Sequence, residues 1–422
     1  MLDLRFIREN ADSVRDGARK KRIDVDIDAL ISLDQEVRAL SSRGDELRGE
    51  LKVKGKSIAA LPEAERSRAG ERLSALKSEL KEGEERLKGL REQLRELHLR
   101  VPNVPAPEVP EGADENDNVE IRREGELPSF DFEPVDHVEL GKRLQLIDME
   151  RGVKIAGTRN YFLTGDGALL ERAVMNLALD MLAGRGFIPL SVPVLVRYPA
   201  MEGTAYFPGG EDQAYICEKD DLYLAGTAEV PITSFHTDEI LSPDELPKKY
   251  VAWSYCFRRE AGAAGKDTRG LYRIHQFQKV EQVVITTADA EVSNRHHLEI
   301  LKNSEDLLEK LELPYRVVEV CGGDLGIPQY RKYDIETWMP SRGKYSETHS
   351  ASAFHDFQAR RLKLRYKDGK QTRFCFTLNN TVAASPRILI PLLECHQRKD
   401  GSIHVPEALR PYMGGKERLS VG

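Results

Sequence analysis

Apolar residues recur at alternating steps of three and four through Leu30, Leu33, Val37, Leu40, Leu47, Leu51, Ile58 and Leu61, with Gly44 and Lys54 in the same register. That spacing is a heptad seam along a helix. A second seam runs through Ala69, Leu73, Leu76, Leu80, Gly83, Leu87, Leu90, Leu94, Leu97 and Val101. Between the two lie Pro62, Glu63, Ala64 and Glu65, a turn signal. Folding the chain there sets Leu47 opposite Leu80, Leu40 opposite Leu87 and Leu33 opposite Leu94, and it brings Gly44 against Gly83. The prediction is an antiparallel two-helix coiled-coil arm over about residues 27–100. At ~1.5 Å per residue, helices of roughly 35 residues would reach about 50 Å.

After Val101 the periodicity stops in VPNVPAPEVPEGADENDN, whose prolines and acids predict an extended linker over residues 101–125. The pattern that follows is mixed. Helical spacing returns over residues 167–185 and 289–311. Extended runs cover 186–196, 222–226, 315–320 and 332–337. Val251, Trp253, Tyr255 and Phe257 alternate, as does the stretch from Leu271 to Thr286. Strands in succession with helices between them predict an α+β body over residues 126–422, an antiparallel sheet with flanking helices. Residues 1–100 form the N-terminal domain that carries the arm.

Composition narrows the class without choosing an activity. The 422 residues, 40% hydrophobic, suffice for a sizeable core. A run of about 18 apolar residues is absent, and MLDLRFIREN has charges where a signal peptide needs an apolar stretch. Five cysteines are scattered and never spaced C-x-x-C, which argues against disulfides and against a cysteine zinc site. The expectation is a reduced, cytoplasmic protein with no membrane attachment. A net charge of −7 does not announce a nucleic-acid binder, so any such argument must rest on a local patch.

One patch lies near the arm's tip, with Lys52, Lys54 and Lys56 on one helix and Arg66, Arg68 and Arg72 on the other. It fits a solvated coiled-coil face, and it also fits phosphate contacts. The richest chemistry lies in FRREAGAAGKDTRGLYRIHQFQKVE, from Phe257 to Glu281. Two strand-like runs around Gly262, Gly265 and Gly270 predict a hairpin. Residues two apart share a face, so Arg258 pairs with Glu260 on one strand, and Arg273, Phe277, Lys279 and Glu281 on the other. Cations, a ring and a carboxylate suit a planar anionic ligand, although ordinary cross-strand ion pairs give the same composition. Gly265-Lys266 is not a P-loop, because Glu260 takes the first glycine position and Asp267 follows the lysine.

The stretch resembles motif 2 of the class II aminoacyl-tRNA synthetases, and FRREAGAAGKDTRGLYRIHQF is similar to the seryl-tRNA synthetases of bacterial type. The resemblance extends along the chain. Residues 167–196, with Pro193, resemble motif 1, which implies a homodimer. Thr227-Ala228-Glu229 resembles the amino-acid pocket segment, and is also a plain helix start with a first-turn acid. Glu347-Thr348-His349-Ser350 resembles the segment that meets ATP and magnesium. FTLNNTVAASPRILIPLLECHQ resembles motif 3, a strand feeding a long helix, with Pro386 at an early helical position. Many members carry Gly-Ser-Gly where this chain has Asn380-Thr381-Val382, and glycine at Pro386.

The resemblance implies activation of serine by ATP, transfer to tRNA(Ser), and leaves tRNA(Sec) open as a second acceptor. It implies Arg258, Glu347 and Arg387 as catalytic residues. For ATP it implies Arg258, Arg259, Glu260, Arg273, Ile274, Phe277, Glu347, Thr348, His349, Ser350 and Arg387. For serine it implies Thr227, Ala228, Glu229, Arg258, Glu281, Asn379 and Thr381. Magnesium would sit on Glu347 and Ser350, and the arm's basic tip would meet tRNA. Zinc is not expected, since His349 and His355 lack a third ligand and the adjacent His296 and His297 cannot share a helical face. Two rivals remain: an amino-acid:carrier-protein ligase, which would lack the arm, and a non-catalytic tRNA-binding relative, which would have lost the motif residues.

Overall fold

The computed structural model describes residues 1–58, 62–262, 265, 267 and 269–420, with only the backbone of Ser57, Glu63 and Ala64. Leu61 of the first seam and Ala263, Ala264, Lys266 and Thr268 of the glycine-bearing loop lie outside the described residues. The chain divides into two compact units, residues 1–19 with 23–104, and residues 20–22 with 105–422.

In the first unit α1 (Ile27–Ser57) and α2 (Glu63–Arg100) form the expected antiparallel pair. The Asp26 side chain accepts from the Ala29 N–H and caps α1. Pro62 is the N-cap and Glu63 is already helical, so Glu63, Ala64 and Glu65 belong to α2 and not to the expected turn. Leu30, Leu47, Leu87 and Leu94 are buried along the seam. Ion pairs Arg43–Glu79 and Glu36–Arg86 lie on one side of it, and Arg48–Glu84 on the other. Those partners are the ones expected if Leu40 faces Leu87 and Leu47 faces Leu80. At the base, Ile7 and Val14 pack with Ile27, Leu30, Leu94 and Val101.

The second unit is built on an eight-stranded sheet. Its strands in chain order are β1 (Val119–Glu124), β2 (Ile188–Leu190), β3 (Lys248–Phe257), β4 (Gln276–Thr286), β5 (Tyr315–Glu319), β6 (Arg331–Met339), β7 (Lys344–His355) and β8 (Phe376–Ser385). Their spatial order is β1-β5-β6-β7-β8-β4-β3-β2, and every neighbouring pair is antiparallel except β2 with β3. The linker expected over 101–125 therefore ends early, because residues 119–124 pair with β5. The stretch before it is not loose either: Ala106 and Val109 are buried against Val320 and Leu325.

Helices α3 (Asp166–Gly184) and α4 (Ala290–Lys310) cover one face of the sheet. The helix expected over 289–311 is thus half buried, with Asp289 capping its start. Alternation along β4 sorts its side chains: Val280 and Val284 enter this large core, Val283 and Ile285 enter a smaller one on the other face. That smaller core, with Ile232, Ala359 and Leu362, closes only one end of the second face. The other end is left as a cleft. Among the described residues no helix is long and apolar enough to cross a membrane.

Candidate active site

The cleft has a volume of about 500 Å3 and is bordered by β4, β6, β7, β8 and the loops at their ends. On β4, Phe277, Lys279 and Glu281 face it in turn, followed by the apolar Val283. The hairpin exists, but β3 stops at Phe257 and β4 starts only at Gln276. Arg258, Glu260, Arg273 and Ile274 therefore reach the cleft from the loop and not from strand positions. Glu260 adopts φ +53°, which turns the chain back after Arg258. The loop's end is fixed by a buried histidine: the Leu271 N–H donates to His137 Nε2, whose Nδ1 meets Glu394 at 2.7 Å.

Two irregularities place the remaining groups. A strand sends side chains to alternate faces, so Glu347 and Ser350, three apart, would point opposite ways. Between β6 and β7 the register skips Thr348, with His349 opposite Ile335 and Glu347 opposite Glu336. The extra residue is a bulge, and it brings both Glu347 and Ser350 to the cleft. A second bulge between β4 and β8 skips Val382. It leaves Thr381 opposite Glu281 while Ala384, opposite Lys279, also faces the cleft.

At the deep end Glu229, Glu281, Lys279 and Thr381 are all buried. The Lys279 ammonium is 2.6 Å from Glu281 Oε2, and the Thr381 hydroxyl donates to that same oxygen at 3.2 Å. Glu229 accepts from the Tyr206 hydroxyl at 2.9 Å and from Gln358 at 2.8 Å. Burial, then the like charge of Glu281, pushes the Glu229 carboxyl up to about 7. Thr227 Oγ1 accepts from the Glu229 N–H, but the N-cap is Ala228, and Glu229 opens the helix with its acid turned into the cleft.

At the open end the Arg258 guanidinium lies 5.3 Å from the Phe277 ring centre. Arg387 donates to the Glu347 carbonyl at 3.1 Å and lies 3.4 Å from its carboxylate. Burial alone would raise the Glu347 carboxyl; Arg387, Lys332, Arg258 and Arg273 outweigh it and hold it below the usual range. Glu260 pairs with Arg273 at 3.3 Å, and Arg273 also reaches Asp267. The arrangement offers a ring platform, a ladder of guanidinium groups for phosphates and an acidic pocket for an ammonium group.

Most of the expected residues meet here: Glu229, Arg258, Glu260, Arg273, Ile274, Phe277, Glu281, Glu347, Thr348, His349, Ser350, Asn379, Thr381 and Arg387 all border the cleft. Arg259, Thr227 and Ala228 do not border it. The side chains of Thr348 and His349 are buried, and His349, lowered to about 4 chiefly by burial, is neutral near pH 7. Pro386 precedes the terminal helix, which starts at Leu389 and ends at Cys395, so neither the early helical proline nor a long helix is present. Asn380 and Val382 face away from the cleft. The Asn380 amide accepts from Gln282 and donates to the Ser350 carbonyl, and Val382 joins the large core.

Sequence reading placed Lys279 on the ligand-facing side with Phe277 and Glu281 but gave it no role in the pocket. It missed Lys332, bound to Asp334 at 2.9 Å beside Glu347, and Tyr272, whose ring lies 4.4 Å from the Arg387 guanidinium. Only the fold brings those together.

Comparison with known proteins follows the same division of the chain. Residues 1–105 match the seryl-tRNA synthetase N-terminal domain, and residues 215–396 match the tRNA synthetase class II core domain (G, H, P, S and T). A serine–tRNA ligase of Deinococcus radiodurans is 50% identical over 99% of both chains. One from Rubrobacter xylanophilus is 46% identical over 98% of both. The crystal structure of seryl-tRNA synthetase from Pyrococcus horikoshii complexed with ATP superposes over 100% of both chains, with a TM-score of 0.87 and 37% identity.

Proposed function

The chain belongs to the seryl-tRNA synthetases, class II enzymes with serine–tRNA ligase activity, and from that membership we propose how its own residues divide the work. The observation that carries the assignment is the order of side chains along β4. Phe277, Lys279 and Glu281 are successive positions on one face. At ~3.4 Å per residue they span about 14 Å, a length that suits an aminoacyl-adenylate laid from base to amino-acid side chain.

In this reading adenine lies on Phe277, with Glu260 accepting from its amino group and Arg387 on the opposite side. Arg258 meets the α-phosphate and stabilises the charge that develops there as a serine carboxylate oxygen forms its bond to phosphorus. The bond to pyrophosphate breaks, and Arg273 accompanies the departing phosphates. Glu229 holds the serine ammonium group, while Glu281 and Thr381 receive its hydroxyl. In the second step the terminal ribose hydroxyl of tRNA(Ser) takes the seryl carbonyl and AMP leaves. No side chain needs to act as a covalent nucleophile; orientation and fixed charge supply the acceleration.

Magnesium fits Glu347 and Ser350, because the bulge turns both to the cleft and the surrounding cations keep the carboxylate ionised. Bound there with ATP, it would offset the negative charge of the phosphates. The arm's exposed Lys52, Lys54, Lys56, Arg66, Arg68 and Arg72 serve the tRNA, in a cytoplasmic homodimer.

Serine-dependent ATP–pyrophosphate exchange without tRNA, beside alanine, glycine and threonine, tests the activation site. Exchange with serine alone is expected, followed by charging of tRNA(Ser); tRNA(Sec) is tried as a second acceptor. Preference for another amino acid, without tRNA charging, would favour a carrier-protein ligase.

A further inference from the structure

The serine pocket just assigned contains a charge that its ligand scheme does not use. Lys279 is 5% exposed, and its ammonium contacts Glu281 Oε2 at 2.6 Å and the Thr381 hydroxyl at 3.4 Å. A buried ammonium is costly unless paired, so its position needs a reason. Ion pairing with Glu281 explains its burial but not its site, since a core carboxylate could have been replaced by an apolar residue at lower cost.

The geometry around Glu281 supplies that reason. Both contacts to its carboxylate fall on Oε2, and among the described residues Oε1 receives no hydrogen bond. Thr381 is the cross-strand partner of Glu281 across the second bulge, so backbone pairing fixes one donor while Lys279 fixes the other. A carboxylate held through one oxygen cannot swing about its terminal bond. Its second oxygen is then a stationary acceptor at the cleft's deep end.

We propose that Lys279 is a specificity-positioning residue: by clamping Glu281 Oε2 together with Thr381, it presents the free oxygen as a fixed acceptor for a substrate hydroxyl. A pre-aimed acceptor discriminates against an amino acid that lacks the hydroxyl, because its lone pairs are then left unpaired in a buried site. A flexible Glu281 could turn away, and would tolerate alanine better. Lys279 acts through Glu281 and needs no contact with the substrate.

This inference rests on the serine-pocket reading, and the two can fail separately. In pyrophosphate exchange, Lys279→Met is expected to raise the serine KM at least about tenfold and to lower the serine-over-alanine ratio in kcat/KM by a similar factor. The ATP KM should stay within about threefold. The deciding measurement is the double variant. Once Glu281→Gln has removed the carboxylate, adding Lys279→Met should change the serine KM by less than about threefold. A full additional loss in that background would mean a general structural role and overturn the proposal, as would an unchanged serine-over-alanine ratio in the single variant. If Lys279→Met does not fold, Lys279→Gln is carried through the same cycle with the same required outcomes. Wild-type protein that exchanges with an amino acid other than serine would instead overturn the pocket assignment itself.

Discussion

Glu229 gives the cleft a pH dependence whose sign differs for binding and for folding. Tyr206, Gln358, Glu281 and Lys279 face it, and burial with Glu281 brings it to about 7. Only the ionised form attracts an ammonium group, so the serine KM should rise as pH falls from about 8 to about 6, by up to ~10-fold per unit below the pKa. A flat profile would remove Glu229 from that role. For folding, the raised carboxyl binds its proton more tightly in the native state than in the unfolded chain. Its contribution to stability is therefore full below an unfolded value of 4.5 and is lost as pH rises through about 7. Glu229→Gln should consequently melt higher than wild type at pH 8 while losing serine activation, a gain in stability against function. Arg258→Ala should cost roughly 10²–10³ in exchange rate; near-normal exchange would contradict its place at the α-phosphate. Glu281→Ala should weaken serine activation strongly and leave ATP binding largely intact, as isothermal titration would show. The types and spacing of these residues were readable in the motifs, but the shared burial of Glu229 and Glu281 came from a helix start and a strand far apart in sequence.

The hairpin and the arm make different demands on glycine. Gly270 has φ +84°, and a Cβ there would lie 2.3 Å from His137 Nε2, the group that anchors the loop's end. Gly270→Ala should therefore displace Tyr272, Arg273 and Ile274, with loss of exchange and a lowered melting temperature. Gly44 is helical and its Cβ would meet nothing nearer than 3.9 Å. Gly44→Ala should stabilise the protein by about 0.5–1 kcal/mol through helix propensity, measurable by denaturant unfolding. On the arm's tip, replacing the six basic residues by alanine should reduce tRNA charging and flatten its salt dependence. Exchange without tRNA should remain unchanged, and a parallel loss of exchange would place those residues elsewhere in the mechanism. The arm was legible because a coiled coil declares itself in local periodicity, and its inter-helix ion pairs follow from that register. The bulges at Thr348 and Val382 were not legible, since an extra residue in one strand exists only relative to its partner.

At the scale of the molecule, the proposed dimer predicts that a second copy covers apolar side chains exposed along β2, β3 and α3. Ile188, Tyr255 and Leu169 are 53%, 49% and 40% exposed, although they lie in the segments with the most apolar patterning. A dimer in sedimentation velocity is expected, and Ile188→Glu with Leu169→Glu should shift it toward monomer. The chain by itself determined the two-part plan: a heptad-paired arm, a proline-marked connection and a strand-rich body carrying the motif residues. Those features follow from local periodicity, turn chemistry and residue type, which are written in consecutive positions. Tertiary structure decided the rest. It recruited residues 119–124 into the sheet, ended the last helix after seven residues, kept Arg259 out of the cleft and set Lys279 against Glu281 and Thr381. Each of these depends on which strands become neighbours and in what register, and register is settled by packing across the whole sheet.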